Sequence, residues 1–217
     1  MKKKKKAYVF LNGELRGSIK YYQNLISIKE DHIFCADGGA FHLEKLNIIP
    51  DELWGDLDSI SPKLLDFYRE NKVKIQEFPI DKNNTDGELL IKYLSKIENN
   101  YEKVQIIGGL GGRTDHFLSN LNWLFMYPNL SFISEDEVIF KVENDQSFSD
   151  FVGNTASFVP YSHIVENVTL EGFKYPLDNY TILRGDSICM SNIVLSPKSS
   201  IKFTNGQLIC IINKNEL

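Results

Sequence analysis

The sequence predicts an α/β domain with a mostly parallel sheet over residues 1–135, followed by an antiparallel β-sandwich domain over residues 136–217. Strand and helix signals alternate up to about residue 134, which is typical of right-handed crossovers in a parallel sheet. From residue 138 onward, short β-type runs are separated by turn residues and no helical period persists. With 217 residues, the chain is long enough for two small domains.

The first domain has six candidate strands that alternate with candidate helices. Ile19, Tyr22, Leu25 and Ile26 recur at helical spacing. Pro62 suits the first turn of a helix, and the segment 85–88 (Thr-Asp-Gly-Glu) resembles a capping box. We expect a Rossmann-like arrangement with strands at 7–11, 32–36, 52–54, 73–78, 104–107 and 132–134, and helices at 18–28, 40–46, 62–70, 86–97 and 114–127.

The second domain is predicted from β-type runs alone. Turn residues separate the runs, at 152–154, 176–179 and 205–207. The expected strands are 138–142, 156–159, 164–170, 187–195, 201–203 and 208–212.

Charge and hydropathy exclude several classes of protein. The net charge is −5, and it falls to −10 without the lysines of the 2–6 run, so a broad nucleic-acid-binding face is not expected. No apolar run approaches about 18 residues, so the sequence predicts no transmembrane helix. The apolar run after the lysines stops at Asn12-Gly13, too early for a signal peptide.

The cysteine content indicates a reducing compartment. The cysteines are odd in number and include no C-x-x-C pair: Cys35, Cys189 and Cys210. This disfavours a disulfide framework or a zinc site. We therefore expect a cytoplasmic protein.

Polar or glycine-rich segments follow four successive strands of the first domain. In an open parallel sheet these strand ends meet at one crevice, which is the usual ligand site. The segments hold Asp37 after the second strand, Asp56 and Asp58 after the third, Asp81, Lys82 and Asp86 after the fourth, and Gly108–Gly112, Arg113 and Asp115 after the fifth.

Asp56 and Asp58 form a candidate metal site. Carboxylates two residues apart near a strand end can point the same way, and Mg²⁺ in proteins commonly bridges such groups to phosphate. The alternative is a turn in which Asp58 or Ser59 caps the next helix. The presence of Asp37 and Asp86 on neighbouring strand ends favours a metal.

The loop 108–113 is a candidate anion site. Its glycines let backbone N–H groups approach a phosphate at a helix N-terminus, and Arg113 can form two hydrogen bonds to it. The residue order matches neither a P-loop nor a dinucleotide fingerprint. A flexible connection remains the alternative, with Asp115 complementing the helix dipole and His116 more often a positional hydrogen-bonding residue than a catalyst.

Two further segments allow both structural and functional interpretations. Lys82 can neutralise phosphate and Asp86 can ligate a metal, whereas Thr85 and Glu88 are explained by helix capping alone. In the second domain, Tyr175 can stack on a flat heterocycle, although the pattern around residues 172–177 and 191–192 favours core packing or a surface turn.

Taken together, these motifs resemble the thiamine pyrophosphokinase family in order and spacing. The resemblance is carried by residues 36–40, 55–59, 82–86, 88–89, 108–116, 120–121, 172–177, 191–192 and 206–208. It implies a homodimer with active sites at the subunit interface, Mg²⁺ as cofactor, and thiamine and ATP as substrates. The hydroxyethyl oxygen of thiamine would attack the β-phosphorus of ATP, giving thiamine diphosphate and AMP. No nucleic acid or membrane partner is expected.

The resemblance also implies roles for individual residues. Asp56, Asp58 and Asp86 would hold Mg²⁺, with Lys82 assisting at the phosphates. The nucleotide and its phosphates would be bound by Asp37, Gly38, Gly109, Gly111, Arg113 and Asp115, and thiamine by Tyr175, Ser191 and Asn192. Two positions depart from the family: Asn83 stands where many members have aspartate, and Tyr175 where some have tryptophan.

Three other functions are disfavoured by particular residues. A hydroxymethylpterin acceptor is disfavoured by the match at residues 172–177 and 191–192. An NAD-kinase-like enzyme is disfavoured because the order Asp37-Gly38-Gly39-Ala40 departs from its G-G-D-G-[TS] motif. A non-catalytic thiamine sensor would not require the acidic cluster and Arg113.

Overall fold

The computed structural model describes residues 5–79, 81, 83–97 and 101–214. The chain divides into two compact units, Met1–Glu135 and Asp136–Leu217. The predicted fold class is confirmed, since the first unit is α/β and the second is an antiparallel β-structure. No helix in these residues is long and apolar enough to cross a membrane.

The first unit alternates strands and helices around one parallel sheet. Its sheet has the order β6-β5-β1-β2-β3-β4, and every pair within it is parallel. In chain order the elements are β1 (Lys5–Phe10), α1 (Ile19–Leu25), β2 (His32–Ala36), α2 (Ala40–Leu46), β3 (Glu52–Gly55), α3 (Pro62–Glu70), β4 (Lys74–Glu77), α4 (Asp86–Lys96), β5 (Tyr101–Ile107), α5 (Thr114–Leu121), α6 (Trp123–Met126) and β6 (Leu130–Ile133).

The core of this unit lies between the sheet and its helices. Strands β1 and β2 run in the middle of the sheet and are buried almost continuously, as expected for parallel strands covered on both faces. Apolar residues spaced along α1, α2 and α3 pack onto them, including Tyr22, Leu43 and Leu64. The carboxyl ends of the strands remain available for a site.

Local capping explains where the helices begin, and it corrects part of the prediction. The cap of α3 is Ser61, which accepts a hydrogen bond from the backbone N–H of Leu64, so neither Asp58 nor Ser59 has that role. Thr85 caps α4 by accepting from the N–H of Glu88. The Glu88 carboxylate binds Asn84 and Lys92, so the structure supports only the Thr85 side of the predicted capping box.

The single helix predicted over 114–127 is two helices. Asn122 separates α5 from α6, and its side-chain amide donates to the carbonyls of Leu118 and Ser119. An asparagine side chain that binds nearby backbone competes with helical hydrogen bonding. The apolar period alone could not indicate this break.

The second unit consists of two antiparallel sheets. One has the order β12-β9-β14-β7 and the other β11-β10-β13-β8. Their elements are β7 (Glu137–Lys141), β8 (Asp145–Ser147), β9 (Thr155–Pro160), β10 (Ile164–Glu171), β11 (Leu177–Leu183), β12 (Asn192–Ile193), β13 (Ser200–Lys202) and β14 (Leu208–Asn213). The buried ring of Phe148 packs edge-on against Phe158 and Phe173 in the core between them.

One strand prediction in this unit was wrong, and two strands were not predicted. The long strand expected at 187–195 is reduced to β12, because Ser191 has a φ of 52° and turns the chain just before it. Strand β11 begins inside the segment predicted as a turn at 176–179, and β8 is too short and polar to have been detected. Both β11 and β8 are edge strands, and most of their residues are exposed, so no alternation of buried and exposed positions marks them in the sequence.

We predict that Gly39→Ala lowers the free energy of unfolding by about 3 kcal/mol. A Cβ on Gly39 would lie 2.2 Å from the carbonyl oxygen of Phe10, so the α2 N-terminus and the end of β1 would have to separate. Urea unfolding of the purified variant measures the loss.

The matched control in the same unit is Gly112→Ala. Gly112 has a φ of 71°, but a Cβ added there would come no closer than 3.6 Å to any described atom beyond its chain neighbours. Only backbone strain of about 1 kcal/mol therefore applies. If Gly39→Ala and Gly112→Ala lose the same free energy of unfolding, the close approach of Gly39 to Phe10 does not contribute to stability as proposed.

Candidate active site

A crevice opens at the carboxyl ends of the strands in the first unit. Its cavity volume is about 250 Å³, and the N-terminal residues of α4 border it. The lining residues are Leu11, Asn12, Gly13, Ala36, Asp37, Thr85, Asp86, Gly87, Gly108, Gly109, Gly111, Arg113, His116, Phe117, Asn120 and Trp123. Segments that follow β1, β2 and β5 therefore meet at one edge of the sheet.

Three carboxylates meet at this edge. One oxygen from each of Asp37, Asp56 and Asp58 lies within 4.8 Å of the others. Asp37 follows β2, and Asp56 and Asp58 follow β3. The resemblance implied Asp56, Asp58 and Asp86 as metal ligands, with Asp37 on a neighbouring strand end; in the structure, an oxygen of Asp37 lies within this distance of Asp56 and Asp58.

Unusual backbone conformations position these carboxylates. Asp37 and Leu57 have φ values of 42° and 66°, in the left-handed region that non-glycine residues seldom adopt. The Leu57 side chain is buried, whereas Asp58 beside it is exposed. Ser59 donates a hydrogen bond of 2.6 Å from its hydroxyl to Asp37 Oδ1, which ties the turn after β3 to the turn after β2.

The carboxylates repel one another. The charge of Asp56 is the main cause that raises the pKa of Asp58, a hydrogen bond with Asp56 adds to it, and the charges of Asp37 and Asp86 raise it further. A cation among these oxygens would relieve the repulsion. Oxygen ligands of this kind suit a hard divalent cation such as Mg²⁺.

Asp86 lies on the same crevice from another element. It is the first residue of α4, directly after the cap Thr85, and its charge contributes to the raised pKa of Asp58. Lys82, the predicted phosphate-neutralising residue before it, lies outside the residues that the structure describes.

The glycine-rich loop after β5 packs against the loop after β1. Gly108 has a φ of 72°, and a Cβ there would lie 2.3 Å from the carbonyl oxygen of Leu11. The N–H of Gly13 donates to the carbonyl of Gly108 over 2.7 Å. Only glycine tolerates this approach, so Gly108 is required to form the crevice floor. Gly109 and Gly111 also line the crevice.

Arg113 and Asp115 form an ion pair at the start of α5. Two hydrogen bonds of 3.1 and 2.6 Å join the guanidinium to the Asp115 carboxylate, and this pairing lowers the pKa of Asp115 to about 2. Both side chains are largely exposed, so Arg113 can reach an anion in the crevice. Asp115 holds Arg113 at the crevice rim.

His42 supports the floor from below. Its Nε2 lies 2.8 Å from the carbonyl oxygen of Gly13, and burial lowers the pKa of the imidazole. A neutral ring with the proton on Nε2 donates to Gly13. Nδ1 is buried and has no hydrogen-bond partner among the described residues.

The residues predicted to bind substrate in the second unit lie close together there. Tyr175 has 53% of its surface exposed, and Lys174 Nζ lies 5.3 Å from the centre of its ring. Ser191 is exposed, and its backbone N–H donates to Ser157 Oγ. Asn192 is 1% exposed, and its amide binds the backbone of Tyr175.

Sequence reasoning missed several contributors to the crevice. Asn12 follows the first strand, so the rule applied to the other strand ends would have found it. Ser59, His42 and Trp123 carry no comparable signal, since a serine in a turn, a helical histidine and an apolar helix residue all have ordinary structural explanations. Their roles depend on contacts between distant segments.

Two family models match the chain in succession. The model for "Thiamin pyrophosphokinase, catalytic domain" matches residues 22–134. The model for "Thiamin pyrophosphokinase, vitamin B1 binding domain" matches residues 137–208. Together the two matches account for most of the sequence.

Named relatives and solved structures are similar along most of their length. The thiamine pyrophosphokinase of Bacillus subtilis is 32% identical over 183 residues, which cover 81% of this chain and 84% of that protein. Thiamine pyrophosphokinase 2 of Arabidopsis thaliana is 32% identical over 74% of this chain and 70% of its own. The crystal structure of the Bacillus subtilis enzyme aligns with a TM-score of 0.82 and 27% identity, covering 98% of this chain and 100% of that one.

We predict that His42 makes the protein less stable below about pH 6.5. Because the pKa of the folded-state imidazole is lowered, the unfolded chain binds a proton first as the pH falls. His42→Gln keeps an N–H donor for Gly13 but does not titrate. Urea unfolding at pH 7.5 and pH 5.5 should show that the wild type loses about 1 kcal/mol more than the variant.

If the wild type and His42→Gln lose the same free energy of unfolding between pH 7.5 and pH 5.5, protonation of His42 is not the cause of the loss. The carboxylates of the crevice titrate in both, so they cancel in the comparison.

Proposed function

This chain belongs to the thiamin pyrophosphokinase family, and from that premise we propose that it transfers the diphosphoryl group of ATP to thiamine. The products would be thiamine diphosphate and AMP. The observation that carries the proposal is the cluster of Asp37, Asp56 and Asp58 on the same sheet edge as the glycine-rich loop and Arg113. Carboxylate oxygens suit the cation of a metal-bound polyphosphate, and backbone N–H groups and a guanidinium suit its phosphates.

The acidic cluster suits a Mg²⁺ ion. Asp37, Asp56 and Asp58 would hold it, with Asp86 beside them, because their mutual repulsion favours a cation among them. When bound, Mg²⁺ would neutralise negative charge on the transferred phosphates.

The remaining groups of the first unit would bind and orient ATP. Backbone N–H groups of the loop containing Gly109 and Gly111 would face the phosphates, as at other glycine-rich turns before helices. Arg113 would stabilise negative charge as AMP leaves, with Asp115 holding the guanidinium in place. We also propose contacts of Asp37 and Gly38 with the nucleotide, and of Lys82 with its phosphates.

The chemical step is an in-line displacement. The hydroxyethyl oxygen of thiamine forms a bond to the β-phosphorus of ATP as the bond from that phosphorus to the α,β-bridging oxygen breaks. The leaving electron pair goes to AMP, and the hydroxyl proton passes to a nearby base. Such transfers depend mainly on positioning and charge stabilisation, which fits a crevice formed by fixed loops.

The second unit would bind thiamine. Tyr175 presents an exposed aromatic face for the heterocycle, and Ser191 would provide a polar contact to the aminopyrimidine. We further propose that the protein works as a homodimer with active sites at the subunit interface.

A cytoplasmic setting is also proposed. Cys35, Cys189 and Cys210 are all free thiols and buried, and burial raises the pKa of each thiol. Thiols of this kind are those of an intracellular protein that does not depend on disulfides.

Product identity tests the proposed reaction. Purified protein with thiamine, ATP and Mg²⁺ should yield AMP and thiamine diphosphate in equal amounts, separated by chromatography. ADP with thiamine monophosphate would contradict attack on the β-phosphorus. A product formed only with a hydroxymethylpterin would show that the acceptor is wrong.

We predict that Asp58→Asn lowers kcat by at least about 100-fold while the protein remains folded. The substitution removes a carboxylate charge from the cluster but leaves an exposed side chain of the same size. Steady-state rates with Mg²⁺ and a circular dichroism spectrum provide the measurement.

The control for Asp58→Asn is Asp66→Asn. Asp66 is an exposed aspartate of α3 whose side chain pairs with Arg69 on the same helix, so its loss should leave kcat within about twofold. Near-normal turnover in Asp58→Asn would exclude Asp58 from the metal site.

A further inference from the structure

We propose that Asn192 is a positioning residue, which holds the backbone of Tyr175 so that its ring is presented to thiamine. The inference rests on the proposed function of the second unit. It assigns Asn192 an indirect role, through Tyr175, in place of the direct contact with substrate that the sequence suggested.

The Asn192 side chain is occupied by backbone groups. Its Oδ1 accepts hydrogen bonds of 2.9 Å from the N–H of Tyr175 and from that of Ile193. Its Nδ2 donates over 2.7 Å to the carbonyl of Tyr175. Both polar groups of Tyr175's backbone are therefore bound by one amide, and at 1% exposure that amide has little surface left for a ligand.

This contact continues a short antiparallel ribbon. Leu195 N donates to the carbonyl of Gly172, and Lys174 N donates to the carbonyl of Ile193, with a bridge between Phe173 and Val194. At Tyr175 the opposite chain turns away at Ser191, where φ is 52°. The Asn192 amide takes the place that a peptide group of a continuing ribbon would occupy.

The turn that interrupts the ribbon is itself anchored. Ser191 N donates over 2.9 Å to the hydroxyl of the buried Ser157 in β9. Asn192 also pairs with Ala156 of that strand. The Asn192 amide therefore extends from a fixed position in the sheet. Its hydrogen bonds fix the backbone of Tyr175 relative to that sheet.

The Tyr175 ring contacts Lys174, whose Nζ lies 5.3 Å from the ring centre, and the Asn192 amide fixes the backbone from which the ring extends. The Tyr175 side chain is 53% exposed, and Pro176 restricts only its backbone to extended conformations. Stacking gains affinity when the ring does not have to be ordered on binding. Loss of the Asn192 contacts should therefore weaken thiamine binding while ATP binding and the chemical step are retained.

A double-mutant cycle tests the inference. Asn192→Ala, Tyr175→Ala and the double variant are compared by KM for thiamine, KM for ATP and kcat. We expect each single variant to raise the thiamine KM by about 5- to 20-fold, with the other two constants within about twofold. Because Asn192 acts through Tyr175, the double variant should be no worse than Tyr175→Ala.

Two further variants separate this role from a general loss of stability. Asn192→Asp keeps the oxygen that accepts from Tyr175 N but loses the donor to the Tyr175 carbonyl, so it should raise the thiamine KM even if Asn192→Ala fails to fold. Ser162→Ala removes a comparable contact elsewhere in the unit, where the hydroxyl donates to Ile164 O and accepts from Gln207 N. It should lower Tm and leave the thiamine KM unchanged.

Each outcome decides between interpretations. If the increases in thiamine KM caused by Asn192→Ala and Tyr175→Ala multiply in the double variant, the inference is overturned and Asn192 contacts the substrate directly. An unchanged thiamine KM in Asn192→Asp would overturn it as well. If the wild type forms no thiamine-dependent AMP, the proposed function fails and the inference fails with it; if the wild type is active, only the inference is at stake.

Discussion

Mutual repulsion among the carboxylates of Asp37, Asp56 and Asp58 is the constraint that the rest of this site is arranged to withstand. Their oxygens lie within 4.8 Å of one another, and the pKa of Asp58 is raised as a result. A fold keeps like charges together only where other interactions hold them in place. Here, left-handed backbone at Asp37 and Leu57, the buried Leu57 side chain and the Ser59 hydrogen bond do so. Strain of this kind concentrates at functional sites.

The contacts around the cluster serve the same purpose. Gly39 approaches the carbonyl of Phe10, and Gly108 approaches that of Leu11, so the turns that follow β1, β2 and β5 are fixed against one another by backbone packing. His42 adds a hydrogen bond to Gly13 from beneath. Positioning rather than covalent assistance is what phosphoryl-type transfers require of a protein. In the second unit, Asn192 and Tyr175 show the same use of a fixed backbone to present an exposed side chain.

Features set by local sequence could be predicted, and features set by contacts between distant segments could not. Alternating strands and helices indicated the parallel sheet, and the strand-end rule indicated the crevice with Asp37, Asp86 and Arg113. Asp37 was expected on a strand end beside that of Asp56 and Asp58, but the close approach of their oxygens depends on left-handed backbone at Asp37 and Leu57, which no short motif specifies. The break at Asn122 and the shortened strand at Asn192 arise from individual side-chain and backbone conformations. Asn192 was associated with substrate by motif, but its hydrogen bonds to Tyr175 became visible only in the fold.

Thermal unfolding with and without Mg²⁺, for the wild type and Asp58→Asn, tests most directly whether the acidic cluster is a cation site. Without Mg²⁺, the variant should unfold at the same temperature as the wild type or higher, because one repelling charge is gone. With millimolar Mg²⁺, the Tm of the wild type should rise, since a ligand that binds only the folded state stabilises it, while that of the variant should stay where it was. Equal responses of the two proteins to Mg²⁺ would contradict the claim that Asp58 and its neighbours bind the cation.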